Sequence, residues 1–219
     1  MIPPEQDSNF VAAMEDILDV YERPYDPKRP VICMDEQPRQ LIGETRNPIP
    51  AKPGQVERYD CEYVRNGTVN NFMFFEPLGN WRRVSVRESK TQRDWAEEIA
   101  HLLDIDFPDA EVVVLVCDNF DTHKIGALYK RFPAEQAHAY ARRLEIHYTP
   151  KHGSWLNAAE IELSVLSCQC LDERIADIET FRRKVKAWLE ARNASEKGVD
   201  WQFTTKDARI KLKRLYPQV

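Results

Sequence analysis

Glycine is scarce in this sequence, and the local motifs of several large function classes are missing with it. Seven glycines are scattered over 219 residues, too dispersed for a phosphate cradle. Neither G-x-x-x-x-G-K-[ST], G-x-S-x-G nor H-E-x-x-H occurs, which speaks against P-loop, serine-hydrolase and zincin chemistry. The five cysteines are odd in number and form no C-x-x-C pair. Cys168 and Cys170 stand too close together for the usual zinc pair and read as helix packing. With no apolar signal segment at the N-terminus, this cysteine usage points to a soluble protein of a reducing cytoplasm. No run approaches the roughly 18 apolar residues of a membrane span, so no membrane partner is expected. Positive charge is not in excess either: the formal net charge is −5 and the pI near 5.6. Such a chain does not coat a polyanion by general electrostatics, and any polyanion must be met in a local basic groove. A hydrophobic content of 42% suffices for one globular domain with a sizeable core.

Against that background two stretches stand out. Val31-Ile-Cys-Met-Asp35 and Val112-Val-Val-Leu-Val-Cys-Asp118 are apolar runs that each end in a carboxylate. Both read as buried strands delivering an acid. A third acid, Glu160, lies in Trp155-Leu-Asn-Ala-Ala-Glu160-Ile-Glu-Leu, where a helix is expected. Along the chain, Pro3 and Pro4 are followed by a helical pattern through Phe10, Met14, Ile17 and Leu18, and then by an extended stretch at Pro24, Pro27 and Pro30. Residues 39–57, with Pro48, Pro50, Pro53 and Gly54, read as a loop. Strands are expected at 58–65, 69–76 and 81–86, with a hairpin at Asn66-Gly67. Thr91 caps a helix that carries Asp94, Glu97 and Glu98 on its outer face. A helix over 134–143, a strand over 144–148 and helices after Gly153 and over 178–192 follow. The order predicts an α/β domain with a mixed sheet flanked by helices. It divides into an N-terminal helix and proline-rich linker (1–30), the main domain (31–195) and a basic tail (196–219).

Local reading leaves the acids with two roles each. Leu156, Glu160, Leu163, Ser167 and Cys170 share one helical stripe, so Glu160 is a carboxylate among apolar groups and a metal ion would offset its burial. The competing role is a capping box, Asn157-x-x-Glu160. Asp118 either caps a turn or serves a site, with Asn119 and His123 just beyond the strand end where α/β sheets gather active groups. His123 is either a ligand-orienting group or a satisfied structural histidine. Glu36 points to the opposite face from Asp35 and reads as structural; Asp121 and Glu162 read as solvated.

Three blocks together carry a resemblance: Cys33-Met-Asp35-Glu, Leu115-Val-Cys-Asp118-Asn-Phe-Asp-Thr-His123, and His147-Tyr-Thr-Pro150-Lys-His-Gly-Ser154-Trp-Leu-Asn157-Ala-Ala-Glu160. In their order they resemble the catalytic domain of the IS630 group of DDE transposases, relatives of the Tc1/mariner enzymes, over residues 10–216. The resemblance implies an RNase H-like (retroviral-integrase-type) fold in which Asp35, Asp118 and Glu160 are the catalytic metal ligands, with Asn119, His123 and Asn157 supporting them. It also implies two Mg²⁺ or Mn²⁺ ions and, as partners, transposon-end and target DNA, with TA as target dinucleotide. A homodimer assembled on DNA and a nucleoid association follow from the same source. DNA contacts are expected from Lys151 and His152 beside the site and from Lys206, Arg209, Lys211, Lys213 and Arg214 in the basic tail. An RNase H-like nuclease without strand transfer, or an idle remnant that only binds DNA or a transposase subunit, are the alternatives. Family members carry an N-terminal helix-turn-helix for terminal-repeat recognition. The stretch ahead of Val31 is too short for one, as in a truncated copy, a catalytic fragment or one half of a split reading frame, so weak sequence preference is expected.

Overall fold

The structure, a computed structural model, describes residues 6–217; Pro3 and Pro4 lie outside the described residues. Helix α1 (Ser8–Tyr21) is followed by strand β1 (Val31–Glu44), β2 (Tyr63–Glu76) and β3 (Trp81–Arg87). Then come α2 (Gln92–His101), β4 (Val113–Asp118), α3 (Gly126–Arg131), α4 (Ala134–Arg142), β5 (Leu144–Thr149), α5 (Ala159–Gln169), α6 (Ile178–Ala194) and α7 (Thr205–Lys211). One mixed sheet runs in the order β3-β2-β1-β4-β5, with β1 antiparallel to β2 and parallel to β4, and β4 parallel to β5.

Alternation along the strands divides the core in two. Cys33, Met73, Phe75, Val114 and Val116 face α1, α5, α6 and α7, while Ile32, Met34, Phe72, Phe74, Leu115 and Cys117 face α2, α3 and α4. Successive residues of a strand point to opposite faces, and here both faces are covered, which is why the central strands are apolar throughout. The helix expected at 10–18 is α1, buried through Phe10, Val11, Met14, Ile17, Leu18 and Val20. Helix α7 joins the same core through Ala208.

Several local expectations give way to tertiary ones. Asn66-Gly67 makes no hairpin: it lies inside β2, and the two residues stand opposite the single Leu41 where the register shifts. Gly67 has a φ of 107°, so the left-handed glycine that favours a turn here forms a β-bulge. Of the expected strand 58–65 only Tyr63–Arg65 is strand, and it is continuous with 69–76 in β2; residues 58–62 hold no more than an isolated bridge from Arg58 to Ile49, while 39–44, expected as loop, belong to β1. Strand β1 continues through Pro38 to Glu44; its pairing with β4 ends at Cys33, and the free edge beyond tolerates a proline. Thr91 caps α2 as expected, and Asp94 returns the bond to close a capping box, but Glu98 is not on a solvated face. It is 2% exposed and bound by Arg83 and Arg87 of β3. Helix α3 was not foreseen. After Gly153 a short 3₁₀ turn (Ser154–Leu156) precedes α5, so the stripe drawn through Leu156 and Glu160 does not run on a single helix.

Candidate metal centre

Strand register brings the first two acids together. Cys33 of β1 is level with Val116 of β4; two residues further along the same direction stand Asp35 and Asp118. Both belong by alternation to the face covered by α5. Asp35 accepts the Glu36 backbone N–H at 2.8 Å. Burial pushes its carboxyl up to about 7, and the negative charges of Glu160 and Asp118 add to that rise. Asp118 is more open, with 45% of its side chain exposed. Burial would raise its pKa too, but His123, the Phe120 N–H and the charge of Lys90 outweigh burial and hold it below the ordinary aspartate value.

The third acid is brought in by Asn157. Its side-chain N–H donates to the carbonyl of Met34, the residue before Asp35, at 2.8 Å, and its Oδ1 accepts the Ala159 N–H at 3.1 Å. Asn157 is 1% exposed, so these bonds tie the start of α5 to β1 beside the site. Tyr21 at the end of α1 supports the same junction, donating to the Leu156 carbonyl at 2.7 Å and accepting the Ala158 N–H at 3.2 Å. The capping box expected as an alternative does not form: the Glu160 N–H goes to the Asn157 backbone carbonyl and not to its side chain, and the Glu160 carboxylate has no hydrogen-bond or ion-pair partner among the described residues. Its neighbour Glu162, expected to be solvated, is instead fully buried and paired with Arg82 and Arg192.

His123 is fully buried and cannot reach a phosphate. Its Nδ1 lies 2.6 Å from Asp118 Oδ1 and its Nε2 lies 2.7 Å from Glu36 Oε1. Burial opposes a charged ring, but Asp118, the Cys117 thiol and Glu36 together hold the imidazole pKa far above its usual value, at about 12. Asn119 is exposed and accepts from Lys124 Nζ, whose ammonium stands 4.1 Å from the Tyr148 ring centroid. Sequence reasoning assigned no site role to Glu36, Lys90 or Phe120. Lys90 lies 5.5 Å from the ring centroid of Phe120, which is 52% exposed beside Asp118. An exposed aromatic two residues beyond a strand-end acid was the signal that could have found it.

The expected DNA contacts divide by place. Lys151 lines a cavity of about 270 Å³ with Asn119, Tyr148 and the start of α1. His152 occupies the adjacent turn with a φ of 66°. Lys206, Lys213 and Arg214 are exposed. Arg209, on α7, is committed to both carboxylate oxygens of Glu15 on α1, at 2.8 and 2.9 Å, and Lys211 reaches Asp207 at 3.3 Å.

None of Asp35, Asp118 and Glu160 has a lysine or arginine salt bridge among the described residues, and among those residues no three His, Cys, Asp or Glu groups close into a ready cage. Carboxylates without a cation repel one another, and Asp118 here leans on His123. Asp35, whose carboxyl is lifted partly by the other two charges, is the observation that fits a divalent ion: hard oxygen donors and uncompensated negative charge suit Mg²⁺ or Mn²⁺.

Residues 30–182 match the model of the DDE superfamily endonucleases, and the chain belongs to that family. All three acids lie within the matched segment. The fold is RNase H-like and similar to that of the mariner transposase Mos1. The Mos1 catalytic domain superposes with a TM-score of 0.55 at 12% identity, covering 92% of this chain and 100% of that one. The Mos1 paired end complex with Mn gives 0.57 at 15% identity, covering 87% of this chain, and the Mos1 strand transfer complex gives 0.55 at 15%, covering 89%. This chain spans only 58% and 57% of those two Mos1 chains. A Mos1 paired end complex was also solved with Mg. No curated protein matches the sequence significantly.

Proposed function

We propose that this chain is a DDE transposase catalytic domain that cleaves phosphodiester bonds at transposon ends and transfers the freed 3′-hydroxyl strand into target DNA. The observation that carries the reading is that Asp35 and Asp118 each stand two residues beyond the last registered pair, Cys33 and Val116, of adjacent parallel strands, with Asn157 stitching the helix that bears Glu160 to the backbone beside Asp35. Asp35, Asp118 and Glu160 would hold two Mg²⁺ or Mn²⁺ ions, which supply activation of the attacking oxygen and stabilisation of the leaving one. The chain's own residues do the rest. Asp35 and Glu160 supply the negative charge that recruits the cations, and His123 fixes the direction of Asp118. Lys90, Lys124 and Lys151 offer local positive charge at the strand-end rim, where a net-acidic protein has to meet a phosphate backbone. Phe120 adds a half-open aromatic surface of the kind on which bases stack. Assembly as a homodimer on DNA belongs to the same reading.

The test is incubation with Mg²⁺ and a pre-cut transposon end carrying a free 3′-hydroxyl, together with a target duplex. Joined product is the expected outcome. Nicked DNA without joining would replace this reading with an RNase H-like nuclease, and binding without any chemistry would overturn it.

A further inference from the structure

We propose that Glu36 is a positioning residue for the metal centre, acting on Asp118 through His123. The inference rests on the DDE reading and deepens it by naming what aims the second acid.

Glu36 follows Asp35 in β1 and so points through the sheet to the other face, the one lined by Ile32 and Met34. Its side chain is only 5% exposed there. A carboxylate in such surroundings is strongly disfavoured unless it is paired, and the partner supplied is the His123 ring, itself 0% exposed, at 2.7 Å. That ring is held from several sides. Trp95 stacks near it with centroids 6.0 Å apart and planes 30° from parallel, and Phe120 lies 6.2 Å away on a tilt. The His123 backbone is fixed as well: its N–H donates to the Phe120 carbonyl at 3.0 Å and its own carbonyl accepts from the Tyr148 hydroxyl at 2.7 Å.

The consequence falls on Asp118. One of its oxygens, Oδ1, is committed to His123 Nδ1 at 2.6 Å, so the carboxylate is left with its other oxygen toward the open side of the site. Without Glu36 the far nitrogen of a buried ring loses its carboxylate partner, the ring is held by its Nδ1 contacts and by Trp95 and Phe120 alone, and Asp118 regains part of the rotational freedom that a metal ligand must lose. Glu36 thus reaches the centre from beneath the sheet, although Asp35 and Glu36 are adjacent in sequence and face opposite sides. Losing an outer partner of this kind typically lowers metal affinity by about 10- to 100-fold.

The experiment compares Glu36→Leu and Glu36→Gln with the unaltered chain in DNA-free protein. Mn²⁺ affinity is followed by paramagnetic resonance and the His123 ring N–H signals by NMR. Glu36→Leu is expected to weaken Mn²⁺ binding by about tenfold or more and to broaden or shift the ring signals. Glu36→Gln keeps an oxygen that accepts from Nε2 and is expected to recover most of the affinity. Glu98→Gln is the control: it removes a buried charge from the same face without touching His123, and should lower stability while leaving Mn²⁺ affinity unchanged. Wild-type affinity in Glu36→Leu, or an equal loss in Glu98→Gln, would overturn the inference alone. An unaltered chain that binds no Mn²⁺ would overturn the metal-centre reading and this inference with it.

Discussion

Two glutamates two residues apart on α5 meet opposite fates. Glu160 is half-buried, has no hydrogen-bond or ion-pair partner among the described residues, and adds its charge to that already pressing on Asp35. Glu162 is fully buried and receives two arginines: Arg192 donates to both of its oxygens at 2.7 and 3.1 Å, and Arg82 of β3 lies 3.1 Å away. Arg82 is in turn held by the Arg192 carbonyl and the Asn193 side chain, each at 3.2 Å. The paired carboxylate fastens α5 to β3 and α6; the unpaired one lies close enough to Asp35 for its charge to raise that carboxyl's pKa. Arginines meet the buried acid two residues away and none meets this one among the described residues, which is the arrangement the proposed metal-ligand role of Glu160 calls for.

The sharpest way to break that comparison is to neutralise each acid in turn. Glu160→Gln should reduce DNA cleavage to background while the metal-free melting temperature stays the same or rises, because it relieves repulsion among three carboxylates. A clear drop in melting temperature, with cleavage retained, would place Glu160 in the framework. Glu162→Gln should do the reverse. It leaves two arginines facing each other without their anion and should cost about 3–5 kcal/mol in chemical denaturation, whereas cleavage per folded molecule should largely survive.

Asn157 joins the two regions, so its effect should be smaller and mixed. Asn157→Ala leaves the Met34 carbonyl without its donor and should cost about 1–3 kcal/mol. It should also raise the Mg²⁺ concentration needed for half-maximal cleavage, since the start of α5 is no longer stitched beside Asp35. Unchanged metal dependence in a destabilised variant would reduce Asn157 to a packing role.

The smallest expected effect concerns a third kind of acid, buried without a partner and outside the centre. Glu76, at the end of β2, is 4% exposed and its Oε1 has no hydrogen-bond partner among the described residues; burial pushes its carboxyl from the ordinary 4.5 up to about 7. A carboxyl whose folded pKa is raised contributes stability that is fully present below its unfolded value and is lost as pH rises through the folded value. Melting experiments should therefore show stability declining between about pH 4.5 and 7 in part through Glu76. Glu76→Gln should flatten that decline equally with and without Mg²⁺. A Mg²⁺-dependent flattening would mean that Glu76 communicates with the centre.

Much of the architecture was legible from local pattern. Apolar runs ending in Asp35 and Asp118, the Thr91 cap and the amphipathic spacing of α1 and α6 are properties of short windows, and each became the element it suggested. Asn66-Gly67 was legible only as a place needing a left-handed glycine. A turn and a bulge make the same demand, and only pairing with β1 chose between them.

The mixed α/β order and the three blocks in which the acids sit are written in the chain itself, because burial pattern and backbone preference act over a few residues. Which carboxylates are neutralised depends on how the elements pack. Glu162 meets an arginine from β3 and another from α6, Glu98 meets two from β3, and Glu36 meets His123 from beyond β4. The role of an acid is set by which cation stands within a few ångströms in a low-dielectric interior, and those distances exist only once the sheet and its helices have closed around them.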